Sequence, residues 1–357
     1  MLKVTFDNSE SPFFKALKEK VDHYFSTKNL DPSGNKALFF KSIVVVVSAI
    51  VLYVTLVFFT PVTWVAILMC GLFGLNMAVI GFNIMHEGGH QSFSKYAWLN
   101  KISAYSLNAL GGTSYFWKIK HNINHHTYTN IEGMDSDIDV KPFMRLHESQ
   151  PRYWFHRFQH VYWVVLYGVS YVAWIFYDDF QKYVSGKVSP NSEIKKIALK
   201  EHFIFWATKV LYVGAYIILP IIMVGWLPTL VGFSIITFVC GLSISVVFQL
   251  AHVVEGTKFS VVEQDQANKI EQEWAVHQVT STANFGTHNK VISWLLGGLN
   301  FQIEHHLFPR ISHVHYPIIS EIVKETCKEY NVTYMEYSTM LKALHSHLFH
   351  IRRLGIA

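Results

Sequence analysis

Between Ser42 and Met85 the chain carries no charged residue, and this one stretch excludes most soluble folds. Pro61 divides it into runs at 42–60 and 62–85, each long enough to cross a hydrocarbon layer of about 30 Å as a helix rising about 1.5 Å per residue. A tight connection at Pro61 makes the pair a transmembrane hairpin. The whole-chain balance agrees: 51% of the 357 residues are hydrophobic and 15% charged, where soluble domains average about 25% charged. Seven Lys/Arg precede Ser42 and none lies between Ser42 and Met85, so the N-terminus and the end of the second run belong on the cytoplasmic side. The net charge of +5 suits a membrane face and makes no case for nucleic acid. Cys70, Cys240 and Cys327 lie too far apart for a disulfide framework or a CxxC site, so buried, reduced thiols are expected.

Two further apolar runs, about 203–223 and 228–252, form a second hairpin around Gly225 and Pro228. A third, 161–177, is short and places Trp163, Tyr167, Tyr171 and Trp174 on one stripe, which suits an interfacial helix better than a span. Residues 1–41 read as a cytoplasmic N-terminal segment without a signal peptide. Its Ser11-Pro12 start and apolar Phe13, Phe14, Leu17, Val21 and Phe25 predict an amphipathic helix on the membrane surface. Residues 42–308 form the membrane domain, and 309–357 a polar, helical cytoplasmic cap.

Twenty histidines are unusual in such a chain. Seven fall in three clusters: His86-Glu87-Gly88-Gly89-His90, His121-Asn122-Ile123-Asn124-His125-His126, and Gln302-Ile303-Glu304-His305-His306. The i, i+4 pairs put two imidazoles on one helix face, the way a helix offers two nitrogens to one metal. An eighth, His252, ends the last apolar run; ionisable groups in such positions are rare. The first two clusters both follow the second span. For the third to join them an even number of spans must intervene, so one of the three later candidates does not cross, and 161–177 is the poorest. Four spans then bring every cluster to one cytoplasmic face.

Eight histidines exceed what one metal accepts, so a two-metal centre is the economical reading. Imidazole suits zinc, copper or iron, and the absence of nearby thiolates argues against a structural zinc site. One function class is an oxygen-activating di-iron enzyme acting on a lipid chain, since no side chain can attack an unactivated C–H bond. A second follows from the literal HExxH of His86–His90: an intramembrane zinc metalloprotease with Glu87 as general base. Six further histidines and the Gly88-Gly89 pair, poor in a helix interior, weigh against it. A metal transporter would want its ligands at mid-membrane on broken helices.

HEGGH, HNINHH and QIEHH resemble the three histidine boxes of the membrane fatty acyl desaturases, and the glutamine-led third box is similar to that of the front-end delta-5/delta-6 group. His125–Asn130, Asp135–Asp139, Trp274–Phe285 and Asn300–Pro309 look alike as well. The resemblance implies an all-α integral membrane fold, with four spans beneath a cytoplasmic helical cap and interfacial helices, in the endoplasmic reticulum or a bacterial inner membrane. It implies two irons, dioxygen, and insertion of a double bond into a fatty acyl-CoA or acyl-lipid; a fatty acyl hydroxylase is the alternative outcome. The implied ligands are His86, His90, His121, His125, His126, His305 and His306, with His252 as an extra one and Gln302 where many relatives have histidine. No HPGG haem motif is present, so electrons from NAD(P)H are expected through a separate cytochrome b5 or ferredoxin.

Metal-bound imidazoles usually donate their second N–H to a carboxylate or carbonyl. Asn83, Asp135, Asp137, Asp139 and Glu304 are the candidates for that supporting role. Trp117, Lys118, Lys120, Arg145, Arg152 and Arg157 could hold a substrate head group, although positive-inside bias explains most of the basic ones equally well. His313, His315, His345, His347 and His350 are expected at the surface of the cap.

Overall fold

The computed structural model describes residues 4–189, 192–194, 196–261 and 268–357. The chain is mostly helical, and among the described residues five helices are long and apolar enough to cross a membrane: Lys36–Phe58, Thr63–Gly89, Trp154–Ser185, Leu199–Val224 and Trp226–His252. The first begins where the Asn35 side chain accepts from Leu38 N, satisfying one of the free N–H groups of a helix start. Four of the five match the expected spans with ends moved by a few residues. The fifth is a correction: the run at 161–177 sits inside a 32-residue helix, Trp154–Ser185, because polar turns at both ends continue it.

Trp226–His252 is the central packing element, lying against both Thr63–Gly89 and Trp154–Ser185. Small residues allow the second of these contacts. A Cβ on Gly241 would lie 2.6 Å from Gly168 O, so the two backbones approach as closely as glycine permits. Ser170 Oγ and Ser245 Oγ join across the same seam at 2.8 Å.

The remaining helices cover one end of this bundle, and here the structure differs from the sequence reading in three ways. Helix Pro12–Lys28 does not lay its apolar stripe on a membrane surface; Phe13, Leu17 and Val21 are buried with Ile319 and Val323 of helix Tyr316–Glu329. Each such burial stabilises by roughly 1.5–3 kcal/mol. Second, four short two-stranded pairs interrupt the all-α expectation, among them Val4–Phe6 with Asn268–Ile270 and Asn284–Phe285 with Glu336–Tyr337. Three of them tie segments far apart in sequence, a pairing that local patterns cannot announce, and the fourth joins Lys187–Ser189 to Ser192–Glu193. Third, His313, His315, His347 and His350 are buried and only His345 is exposed.

The C-terminal helix Met340–Ile356 is held at its last turn, where helix carbonyls lack intrahelical donors. Gln159 Nε2 donates to Ile351 O, Arg145 Nη1 to Leu354 O and Arg152 Nε to Gly355 O. Arg145 and Arg152 therefore anchor this helix. The three cysteines are buried and unpaired.

Candidate metal centre

The three histidine clusters arrive on elements of different origin. Thr63–Gly89 passes through a π-helical turn, Gly81–Met85, immediately before His86, and the second cluster lies on a π-helical stretch, Lys118–His125. Such turns often mark functional positions in helices. The third cluster occupies a short buried helix, Gln302–Leu307, and His252 is the last residue of its apolar helix.

Together they form two groups. His86, His90, His121 and His305 each bring one ring nitrogen within 4.8 Å of the others, and so do His125, His252 and His306. His126 lies between the groups: its ring centroid is 4.7 Å from His90, 4.6 Å from His305 and 4.5 Å from His306. Residues 305 and 306 are thus divided between the two groups, whereas His121 and His125, one in each, also meet around Asp137.

In four rings the Nδ1 atom is engaged, and in three of them, His125, His305 and His306, Nε2 is left over. His125 Nδ1 lies 2.9 Å from Asp135 Oδ2, His306 Nδ1 2.9 Å from Gln278 Oε1, His305 Nδ1 3.3 Å from the Tyr316 hydroxyl, and His121 Nδ1 3.5 Å from Asp137 Oδ2. His86 Nε2 and His121 Nε2 face each other at 3.2 Å. Nε2 of His90, His125, His305 and His306, and both nitrogens of His126 and His252, are buried without a hydrogen-bond partner among the described residues. Buried polar atoms are in general paired, and a convergence of orphaned imidazole nitrogens is what transition-metal ions require. The donor set, imidazole without thiolate, fits two irons.

Electrostatics reinforce the arrangement on the second cluster. Burial alone would lower the His125 pKa, but the Asp135 carboxylate, aided by Asp137, raises it above the ordinary value. Burial lowers that of His121 in spite of Asp137. Burial likewise opposes the charges of Lys120 and Asp137, yet their contact at 2.6 Å prevails: Lys120 is held up at about 12 and Asp137 well below the usual carboxylate range.

The glycine pair of the first cluster has a steric cause. A Cβ on Gly89 would lie 2.2 Å from the Trp117 ring, and Asn122 Nδ2 donates to Gly89 O at 2.8 Å, so the first and second clusters interlock at a residue that must lack a side chain. Trp117 stacks on His121 at 4.7 Å.

A profile of the fatty acid desaturase family matches residues 34–338. The chain is 35% identical to an sn-1 linoleoyl-lipid 6-desaturase of Arthrospira platensis, over 99% of this chain and 95% of that one. It is 32% identical to a protein of the same name from Synechocystis, covering 97% and 96%. An acyl-lipid (8-3)-desaturase of Physcomitrium patens matches at 34%, over 98% of this chain and 73% of the relative.

The chain belongs to the fatty acid desaturase family. It is an oxidoreductase of lipid metabolism, which removes the metalloprotease alternative. Glu87 agrees: its Oε1 accepts from His313 N and Nδ1 and its Oε2 from Ser92 Oγ, so it is committed to structure and not free to act as a base.

Of the residues expected to support the desaturase histidines, Asp135 and Asp137 stand beside them and three others do not. Asn83 Nδ2 donates to Val79 O and Leu295 O. Asp139 pairs with Lys141. Glu304 turns away to Asn284 and Tyr334, and burial raises its pKa to about 7 in spite of both bonds. Gln302 is buried at the start of its helix. Of the head-group candidates Lys118 is exposed, Lys120 is paired with Asp137, and Arg157 lies over Trp154 and Phe158.

Sequence reasoning missed Gln278, Thr129, Tyr316 and Asn130. Thr129 Oγ1 donates to Gln278 Oε1, and Asn130 Nδ2 donates to His252 O and Ser281 O. Thr129, Asn130 and Gln278 lie in stretches that resemble the family, without a role that residue type alone would assign; Tyr316 had no signal.

Proposed function

We propose that this desaturase holds two irons, the first among His86, His90, His121 and His305, the second among His125, His252 and His306, with His126 between them and Gln302 at the margin. The observation that carries the reading is the convergence of these orphaned ring nitrogens in two groups. Asp135, Asp137, Gln278 and Tyr316 orient the rings through Nδ1 and leave Nε2 for metal, as such partners ordinarily do. Iron bound there supplies the oxidising strength that no side chain has, drawing on dioxygen and on electrons from NAD(P)H through a separate cytochrome b5 or ferredoxin. The protein's own part is to keep the site buried under the cap and to present an acyl chain from the apolar bundle.

The substrate is an acyl chain on a glycerolipid, a reading supported by full-length likeness to two proteins named linoleoyl-lipid 6-desaturases and by the glutamine-led third cluster. Four of the five apolar helices span, with the histidines and cap on the cytoplasmic side. In support, both ends of Trp154–Ser185 touch segments on the histidine side. Gln159 meets the C-terminal helix, while Asp179 accepts from Thr113, just before the second cluster.

Purified protein is expected to contain two irons per chain by elemental analysis; one zinc would sink the metal reading. Expression with a compatible electron donor should yield a new double bond in membrane glycerolipids, located by mass spectrometry. Turnover of linoleoyl-CoA but not of linoleoyl-lipid by the purified enzyme would refute the carrier assignment.

A further inference from the structure

One buried polar cluster is left unused by the site described above. Glu87, between the two histidines of the first cluster, accepts at Oε1 from His313 N at 2.9 Å and Nδ1 at 2.7 Å. On the opposite edge of the same imidazole, Lys41 Nζ lies 3.1 Å from His313 Nε2 and also donates to Trp294 O at 3.2 Å. All three side chains are buried. The partners assign the tautomer: Nδ1 carries the hydrogen toward the carboxylate, and Nε2 accepts from the lysine. The result is an ion pair relayed through a neutral ring, linking the first apolar helix, the first histidine cluster and the segment after the third.

Its connections are selective. Glu87 shares a helical turn with His86 and His90. His313 stands three residues before Tyr316, whose hydroxyl meets His305 Nδ1. Among the described residues the side-chain hydrogen bonds of Lys41, His313 and Glu87 go to one another, to Trp294 O and to Ser92 Oγ, and none goes to His125, His252 or His306. We infer that Lys41, His313 and Glu87 are positioning residues for the first metal group alone, setting the register of His86 and His90 against His305. This rests on the proposed two-iron centre.

Full-length protein in detergent, loaded with 57Fe, provides the test through iron per chain and Mössbauer spectrum. If wild type holds other than two irons, the two-iron reading fails; the variant-to-wild-type comparison judges the triad separately. Glu87→Ala and His313→Ala are expected to retain about one iron per chain, losing one spectral component and leaving the other unchanged. Lys41→Met leaves a buried carboxylate without its counter-charge and should weaken iron at that same component several-fold. The double variant Lys41→Met/Glu87→Gln, which removes both charges, should recover most of it. A mere packing role predicts no such recovery. Two irons with unchanged spectra in both alanine variants would overturn the inference. So would a double variant no better than Lys41→Met, a comparison that stands even if the alanine variants do not fold.

Discussion

At the scale of single residues, the supporting carboxylates separate by what they touch. Asp135 accepts from His125 Nδ1, from Asn130 N and, through Oδ1, from Asp137 N. Asp139, four residues on, pairs with Lys141 near the surface. Loss of an outer partner of a metal-bound histidine commonly costs about 10–100-fold in affinity or activity. Asp135→Asn is therefore expected to lower iron retention and turnover by that order, and Asp139→Asn to change either by less than about twofold. Equal behaviour of the two variants would contradict the assignment. Seven of the eight converging histidines were legible from residue type and spacing, whereas the lone His252 entered through the family resemblance. Gln278, which holds His306 from a helix 28 residues away, was not, since an amide carries no comparable signature.

Among the elements, apolar length was readable and partnership was not. Hydropathy located the five long apolar helices of the described residues, yet the apolar stripe of Pro12–Lys28 reads as lipid-facing, because such a stripe has the same pattern whether lipid or protein covers it. The polar pattern of the C-terminal helix likewise predicts a surface with exposed histidines. In fact His347 Nδ1 meets Val253 O at 2.6 Å and Nε2 meets the Tyr167 hydroxyl at 2.9 Å. Burial lowers its pKa to about 4, against the partial opposition of the Val253 carbonyl. The unfolded chain takes up this proton near 6.5, so between those values it binds more than the folded one. Stability is full above about pH 6.5 and declines toward pH 4, by at most about 3 kcal/mol. Hydrogen exchange over residues 340–356 should accordingly quicken between pH 7.5 and 5, and His347→Gln should flatten that dependence. An unchanged profile in the variant would remove His347 as the cause.

For the molecule as a whole, the cap is joined from both ends of the chain. The Glu273 carboxylate accepts from Phe13 N and Phe14 N at the start of helix Pro12–Lys28, while the adjacent Trp274 donates from Nε1 to His126 O. Charged acceptors at helix starts contribute about 1–2 kcal/mol. Glu273→Ala should lower the thermal midpoint and speed exchange over residues 12–28. Faster exchange at residues 161–177 alone would count against that account.

His305 and His306 are consecutive, yet their rings serve different groups. During synthesis neither group can be complete before that dipeptide emerges, and both become complete within one peptide bond of each other. Metal bound as proposed would therefore enter a chain whose apolar helices have already been made. A slipped register in that single helical turn would displace both rings at once, so the two proposed sites would be lost jointly.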